Sequence, residues 1–175
     1  MLIDLSEVLS GNQKTISRDA KMEMKEIHLS QGYFPVKETS PVSLNIERIK
    51  RKELRITGTA DVRVQIPCDR CLKEVDVDFH LQIEKHVDLD TDTEKPDQEL
   101  DESNFIDGYN LDVDKLLYNE ILIGWPMKIL CSEDCKGICN VCGQNLNEGD
   151  CDCEDTSLDP RMSVIRDLFK NFKEV

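Results

Sequence analysis

The chain has 175 residues, and 36 acidic against 22 basic side chains leave it at a net charge of −14. A chain of this length buries roughly 70% of its unfolded surface, so it needs no disulfides to hold a core, while its charge excludes a generic polyanion binder because most of the surface repels phosphate. Ordinary counts of 8 Gly and 6 Pro exclude collagen-like and low-complexity classes. The longest apolar stretch, residues 121–127, is far short of the ~20 residues that span a bilayer. Asp4 and Glu7 stand where a secretion signal would carry Lys or Arg. These features predict a soluble, cytoplasmic protein.

Residues 1–30 carry weak alternation at Met1, Ile3 and Leu5, then at Met22 and Met24 with Ile27 and Leu29 following. They predict two short strands joined through Gly11-Asn12. From Pro41 the pattern sharpens. Val42, Leu44 and Ile46 alternate with polar residues up to a turn at 50–52; then Leu54, Ile56, Ala60, Val62, Val64 and Ile66 all fall on even numbers. Past residue 72 the parity switches to Val75, Val77, Phe79, Leu81 and Ile83. Two period-2 runs around a short polar segment predict an antiparallel hairpin with one face buried, its connection being residues 67–74. Residues 88–102 hold eight carboxylates against Lys95, with Pro96 inside, and read as a solvated acidic loop. Val113, Leu116, Leu117 and Ile121 fit a helix over 112–124, capped by Asp112 and closed before Pro126. A last helix opens at Asp159-Pro160, with Val164, Ile165, Leu168 and Phe172 as its apolar stripe.

The eight cysteines carry the chemistry. Nothing points to export, and cytosolic thiols stay reduced, so clustered cysteines point to metal. Zinc takes four soft or nitrogen ligands in a tetrahedron, and a Cys-x-x-Cys turn supplies two of them while leaving backbone amides to bond the thiolates. Cys139-Asn-Val-Cys142-Gly143 has that form, the glycine permitting a positive φ, and Cys151-Asp-Cys153 supplies a second pair. A disulfide or an iron–sulfur cluster is the competing reading of this set. Cys68, Cys71, Cys131 and Cys135 remain, and predict a second site joining the hairpin end to the chain entering the knuckle; the alternative is one zinc with these thiols idle. Each all-cysteine zinc site carries −2, so two take the chain from −14 to −18, and the metal region cannot attract RNA by charge. Its expected role is structural, because 131–153 is too polar to fold on its own apolar area.

Other motifs are set aside. A redox role for Cys68-Asp-Arg-Cys71 would need a helix N-terminus, and strand follows instead. The carboxylates of 88–99 match calcium-loop spacing, but Thr93 stands where glycine is required and Pro96 intrudes. His28, His80 and His86 lack metal spacing, and His80 lies on the polar parity of its strand. There is no phosphate loop and no nucleophile elbow, so no enzyme, catalytic residue or small-molecule substrate is expected. Against the acidic background stands the basic run Arg48, Lys50, Arg51, Lys52 and Arg55, which Arg63 extends across the sheet. Such a run is either a solvated edge that guards against strand pairing or a local phosphate-contacting patch.

Val64-Gln-Ile-Pro-Cys68-Asp-Arg-Cys71-Leu72, the helix Asp112-Val-Asp-Lys-Leu-Leu-Tyr-Asn-Glu120, the segment from Cys131 through Cys135, Gly137, Cys139, Cys142, Gly143 and Asn145 to Cys151 and Cys153, and Asp159-Pro-Arg161 together resemble the YceD family, the large ribosomal RNA accumulation proteins, in its cysteine-rich form. Asn140 departs from the proline common at that place. The resemblance implies a non-enzymatic factor for accumulation of large-subunit (23S) ribosomal RNA, with that RNA or a pre-ribosomal particle as partner and a ribosomal protein as a further one. The alternative is a zinc-stabilised acidic adaptor that binds a ribosomal protein or a processing enzyme.

The expected fold is α+β: a curved antiparallel sheet or partly open barrel of about six strands, two helices and a zinc-binding C-terminal segment. Residues 1–130 form the sheet domain, with the acidic loop 88–102 and helix 112–124; 131–155 form the zinc knuckle; 156–175 form a C-terminal helix on the main domain. Two Zn2+ ions are the expected cofactors.

Overall fold

The computed structural model describes residues 1–51, 53–89 and 105–153. The acidic stretch from 90 to 102, Lys52 and the helix expected after Asp159 lie outside the described residues. The elements in order are β1 (Leu2–Asp4), α1 (Ser6–Leu9), β2 (Thr15–Ala20), β3 (Glu26–Leu29), β4 (Gly32–Thr39), β5 (Val42–Arg48), β6 (Glu53–Pro67), β7 (Glu74–Asp88), β8 (Ile106–Asp107), β9 (Asn110–Asp112) and α2 (Val113–Ile123). The chain groups into two compact units, residues 1–66 with 76–127 and residues 67–75 with 128 onward.

In the first unit the two long strands follow the sequence pattern. On β6, Leu54, Ile56, Ala60, Val62, Val64 and Ile66 are buried; on β7, Phe79, Leu81, Ile83 and Val87 are. Each of the Val, Leu, Ile and Phe side chains contributes about 1.5–3 kcal/mol on burial, and a one-residue slip would turn the whole set to solvent. The pairing is therefore pinned.

Strands β4 and β5 run end to end along one edge of β6. Thr39 pairs with Val62, and Ser43 with Thr59. Ser40 and Pro41 interrupt the row, where Ser40 N donates to Asp61 O and Asp61 N donates to Ser40 Oγ, both at 2.8 Å. Strand β7 takes the other edge of β6, while β2 adds to β5 and β3 to β4. Among the described residues the six-stranded sheet forms no closed barrel. Gly58 shares the parity of Leu54, Ile56 and Ala60, and a Cβ there would sit 2.6 Å from Ser43 O, so only glycine fits.

A small second sheet, in the order β1-β9-β8, pairs Ile3 with Leu111 and leads into α2. Asp112 caps α2 by accepting from the N–H groups of Asp114 and Lys115. The helix buries Val113, Leu116, Leu117 and Ile121. It is tied to the large sheet by a Lys85–Glu120 ion pair of 2.8 Å and by a hydrogen bond of 2.6 Å from Tyr118 Oη to His28 O. Just beyond it, Trp125 packs against Phe34 and Phe79, with ring centroids 5.2 and 5.7 Å away. No helix of the described residues is long and apolar enough to cross a membrane.

Two expectations need correction. Residues 1–30 are not two strands joined at Gly11: a one-turn helix, α1, intervenes, started by Asp4 Oδ1 accepting from Ser6 N at 2.8 Å. Gly11, at φ +89°, turns the chain into β2. Met22 is buried outside any strand. Among the described residues the large sheet has the six strands expected, although β2 and β4 bury only two and one residues respectively and show no clean alternation; the short strands β1, β8 and β9 form a second sheet that was not expected.

Candidate metal centre

All eight cysteines belong to the second unit and fall into two sets of four. Within each set the four sulfurs lie within 4.8 Å of one another. The first set joins Cys68 and Cys71, from the turn between β6 and β7, to Cys131 and Cys135. The second joins Cys139 and Cys142 to Cys151 and Cys153. This is the division that the spacing predicts. All eight are free thiols. Sulfur separations of 3.8 Å for Cys68–Cys135 and 3.5 Å for Cys71–Cys131 are close to the edge of a tetrahedron with ~2.3 Å metal–sulfur bonds, roughly 3.8 Å. The donor set fits a thiophilic divalent ion.

The two Cys-x-x-Cys turns share one backbone plan. Leu72 N donates to Cys68 O at 3.0 Å and Cys68 N to Lys73 O at 2.8 Å; Gly143 N donates to Cys139 O at 2.9 Å and Cys139 N to Gln144 O at 2.8 Å. The residue after each second cysteine is left-handed, Leu72 at φ +60° and Gly143 at φ +75°. Each turn holds its two sulfurs on one side and points N–H groups at the first of them. Val141 N reaches Cys139 Sγ at 3.4 Å.

Side chains that the cysteine spacing does not single out complete the first site. Asp69 N donates to Ile129 O at 2.8 Å, and Asp69 Oδ2 accepts from Ile129 N at 2.6 Å, clamping the turn to the incoming chain. Arg70 donates to Cys135 O at 2.8 Å, while its own carbonyl accepts from Ile138 N. Gly137, at φ +85°, passes so close to that carbonyl that a Cβ would stand 3.1 Å from it. Asn147 Nδ2 donates to Cys135 Sγ at 3.3 Å and its Oδ1 accepts from Lys136 N. The only available signal was position: Asp and Arg lie inside the first cysteine pair, and Asn147 lies beyond the second.

Burial opposes ionisation of Cys68, but hydrogen bonds from the backbone N–H groups of Cys71, Arg70 and Cys131 outweigh it and bring the thiol down to about 6. Cys71 is favoured as thiolate by the Lys73 N–H, yet burial and the neighbouring thiols push it up to about 12. In the second set the N–H groups of Cys142 and Val141 lower Cys139 to about 6, and the hydrogen bond with Cys142 helps push Cys153 up to about 12. Each set therefore has a thiol that is ionised at neutral pH beside one that is protonated until a cation arrives. Metal binding at pH 7 should release at least one proton per site, and affinity should rise with pH from 6 upward and fall below it. Calorimetric titration with Zn2+ in buffers of different ionisation enthalpy measures this directly; buffer-independent heats would contradict it.

Cys68 is fully buried and β7, not a helix, follows its turn, which removes the geometry a redox pair needs. The basic run surrounds the β5–β6 turn. Lys50 pairs with Glu53 at 2.6 Å, which raises its pKa, and Arg55 reaches Glu84 at 3.4 Å. Arg48 lies over Gly11, and Arg51 is exposed. Arg63 is held by Asp78 at 2.6 Å and Glu38 at 2.9 Å, so it does not extend an unpaired patch. His80 is exposed and bonded to Asp61 at 2.7 Å.

Comparison with known proteins matches residues 56–169 to the family described as large ribosomal RNA subunit accumulation protein YceD. An uncharacterized protein of Bacillus subtilis (strain 168), YlbN, is 26% identical over 159 residues, covering 89% of each chain. A chloroplastic protein of Arabidopsis thaliana, named large ribosomal RNA subunit accumulation protein YCED homolog 1, is 25% identical over 141 residues, covering 65% of this chain and 44% of its own length. No solved structure matches.

Proposed function

This chain belongs to the YceD family, and we propose that it is a non-enzymatic, cytoplasmic ribosome-biogenesis factor supporting accumulation or processing of large-subunit (23S) ribosomal RNA. The observation that carries the reading is the family match over 56–169, which takes in both cysteine sets and most of the β6–β7 hairpin. In this reading each cysteine set holds one Zn2+, which orders a unit whose described residues bury little apolar area apart from Cys68, Cys71, Cys135 and Ile129. Arg48, Lys50, Arg51, Lys52 and Arg55 supply the phosphate contacts, on a ribosomal RNA or pre-ribosomal particle. Membranes and small-molecule substrates have no part in it.

A second reading, an acidic adaptor for a ribosomal protein or processing enzyme, is favoured by the carboxylates already paired with Lys50 and Arg55 and by the charge of −14. Crosslinking in cells, with both RNA and protein identified, separates the two. The first reading expects large-subunit RNA joined to residues 48–55; protein crosslinks alone would favour the adaptor.

A further inference from the structure

The two cysteine sets differ in what can reach them. In the first, Cys68 is 0%, Cys135 2% and Cys71 6% exposed, with Val75, Leu130 and Ile138 packed around them and Cys131 half-buried beside them. In the second, Cys142 is exposed and Cys151 and Cys153 are half-buried. All four ligands of the second set lie within residues 139–153, a span of 15 residues, whereas those of the first come from two segments far apart in sequence. Attack on a sulfur requires a line of approach to it, and oxidation follows exposure and thiolate character. A thiolate bound to metal keeps that character, so exposure decides between the sets.

We propose that the second set is a peroxide-responsive zinc centre, in which oxidation at Cys142 closes a disulfide with Cys139 and expels one Zn2+ while the first set keeps its metal. This rests on the metal reading above. The Cys142 thiolate attacks one oxygen of hydrogen peroxide, the O–O bond breaks, and hydroxide leaves, giving a sulfenic acid. The Cys139 thiolate then attacks that sulfur and a second hydroxide leaves. Two electrons pass from the two sulfurs to the peroxide, and two thiolates become one disulfide. The sulfurs start within 4.8 Å of each other and close to about 2.05 Å. Zn2+ left with two sulfurs dissociates, and a dithiol with fresh Zn2+ reverses the change. The protected first set would continue to hold the β6–β7 turn.

The test uses the full-length zinc-loaded chain treated with hydrogen peroxide, with bound metal counted by native mass spectrometry and disulfides mapped on peptides. The expected result is a fall from two zinc ions to one, at least about tenfold faster than loss of the other. The disulfide formed should contain Cys142, with Cys68, Cys71, Cys131 and Cys135 unmodified, and dithiothreitol with zinc should restore two ions. Cys142→Ser and, independently, Cys153→Ser should each hold a single zinc that survives the same treatment. Loss of both ions together, or oxidation of the first set before the second, would overturn the switch while leaving the metal reading intact. A chain that holds no metal at all would overturn both.

Discussion

Reversing Arg48, Lys50, Arg51 and Lys52 to glutamate should abolish crosslinking to large-subunit RNA while the fold survives. The run 47–55 carries five cations against Glu47 and Glu53 on a chain of charge −14, so any direct RNA contact should depend heavily on it. Losing four phosphate contacts should flatten the salt dependence by roughly three units of slope and weaken binding a hundredfold or more, on the order expected for single-stranded regions. At Lys50 and Arg51 the structural cost is small. The exposed Lys50–Glu53 pair contributes little to stability, and Arg51 projects from the turn. Unchanged RNA crosslinking would show that the contact is indirect and would favour the adaptor.

Cys68→Ser should remove one zinc and lower the melting temperature by about 10 °C or more. A structural zinc contributes roughly 10–16 kcal/mol of apparent binding energy, and a chain of this size loses about 2–4 °C per kcal/mol. The position is demanding, since Cys68 is fully buried, receives several backbone N–H groups and lies 3.8 Å from Cys135. Metal counting and differential scanning calorimetry check both parts. A variant that keeps two zinc ions and the wild-type melting temperature would contradict the assignment of the first site.

Much of this arrangement is legible in the residues. The even-to-odd switch between Ile66 and Val75 defines the hairpin because both strands bury one face against apolar partners. The two cysteine sets follow from spacing, since a thiolate quartet needs only two close pairs brought together. What escapes pattern reading depends on neighbours distant in sequence. β2 and β4 bury too few residues to alternate and form because β5 and β6 offer them paired edges. α1 owes its start to a local turn at Asp4. The support from Asp69, Arg70 and Asn147 exists only once residues 128–147 meet the hairpin tip. Arg55 loses part of its free charge to Glu84, a partner that strand pairing alone reveals.

If these eight cysteines hold two metal ions, they do so as two thiolate quartets. Zinc-edge X-ray absorption on the protein purified under reducing conditions, calibrated by elemental analysis, tests it most directly. Two zinc ions per chain are expected, each with four sulfurs at about 2.3 Å and no nitrogen or oxygen in the shell. A single zinc, iron in place of zinc, or a mixed sulfur and oxygen shell would contradict it.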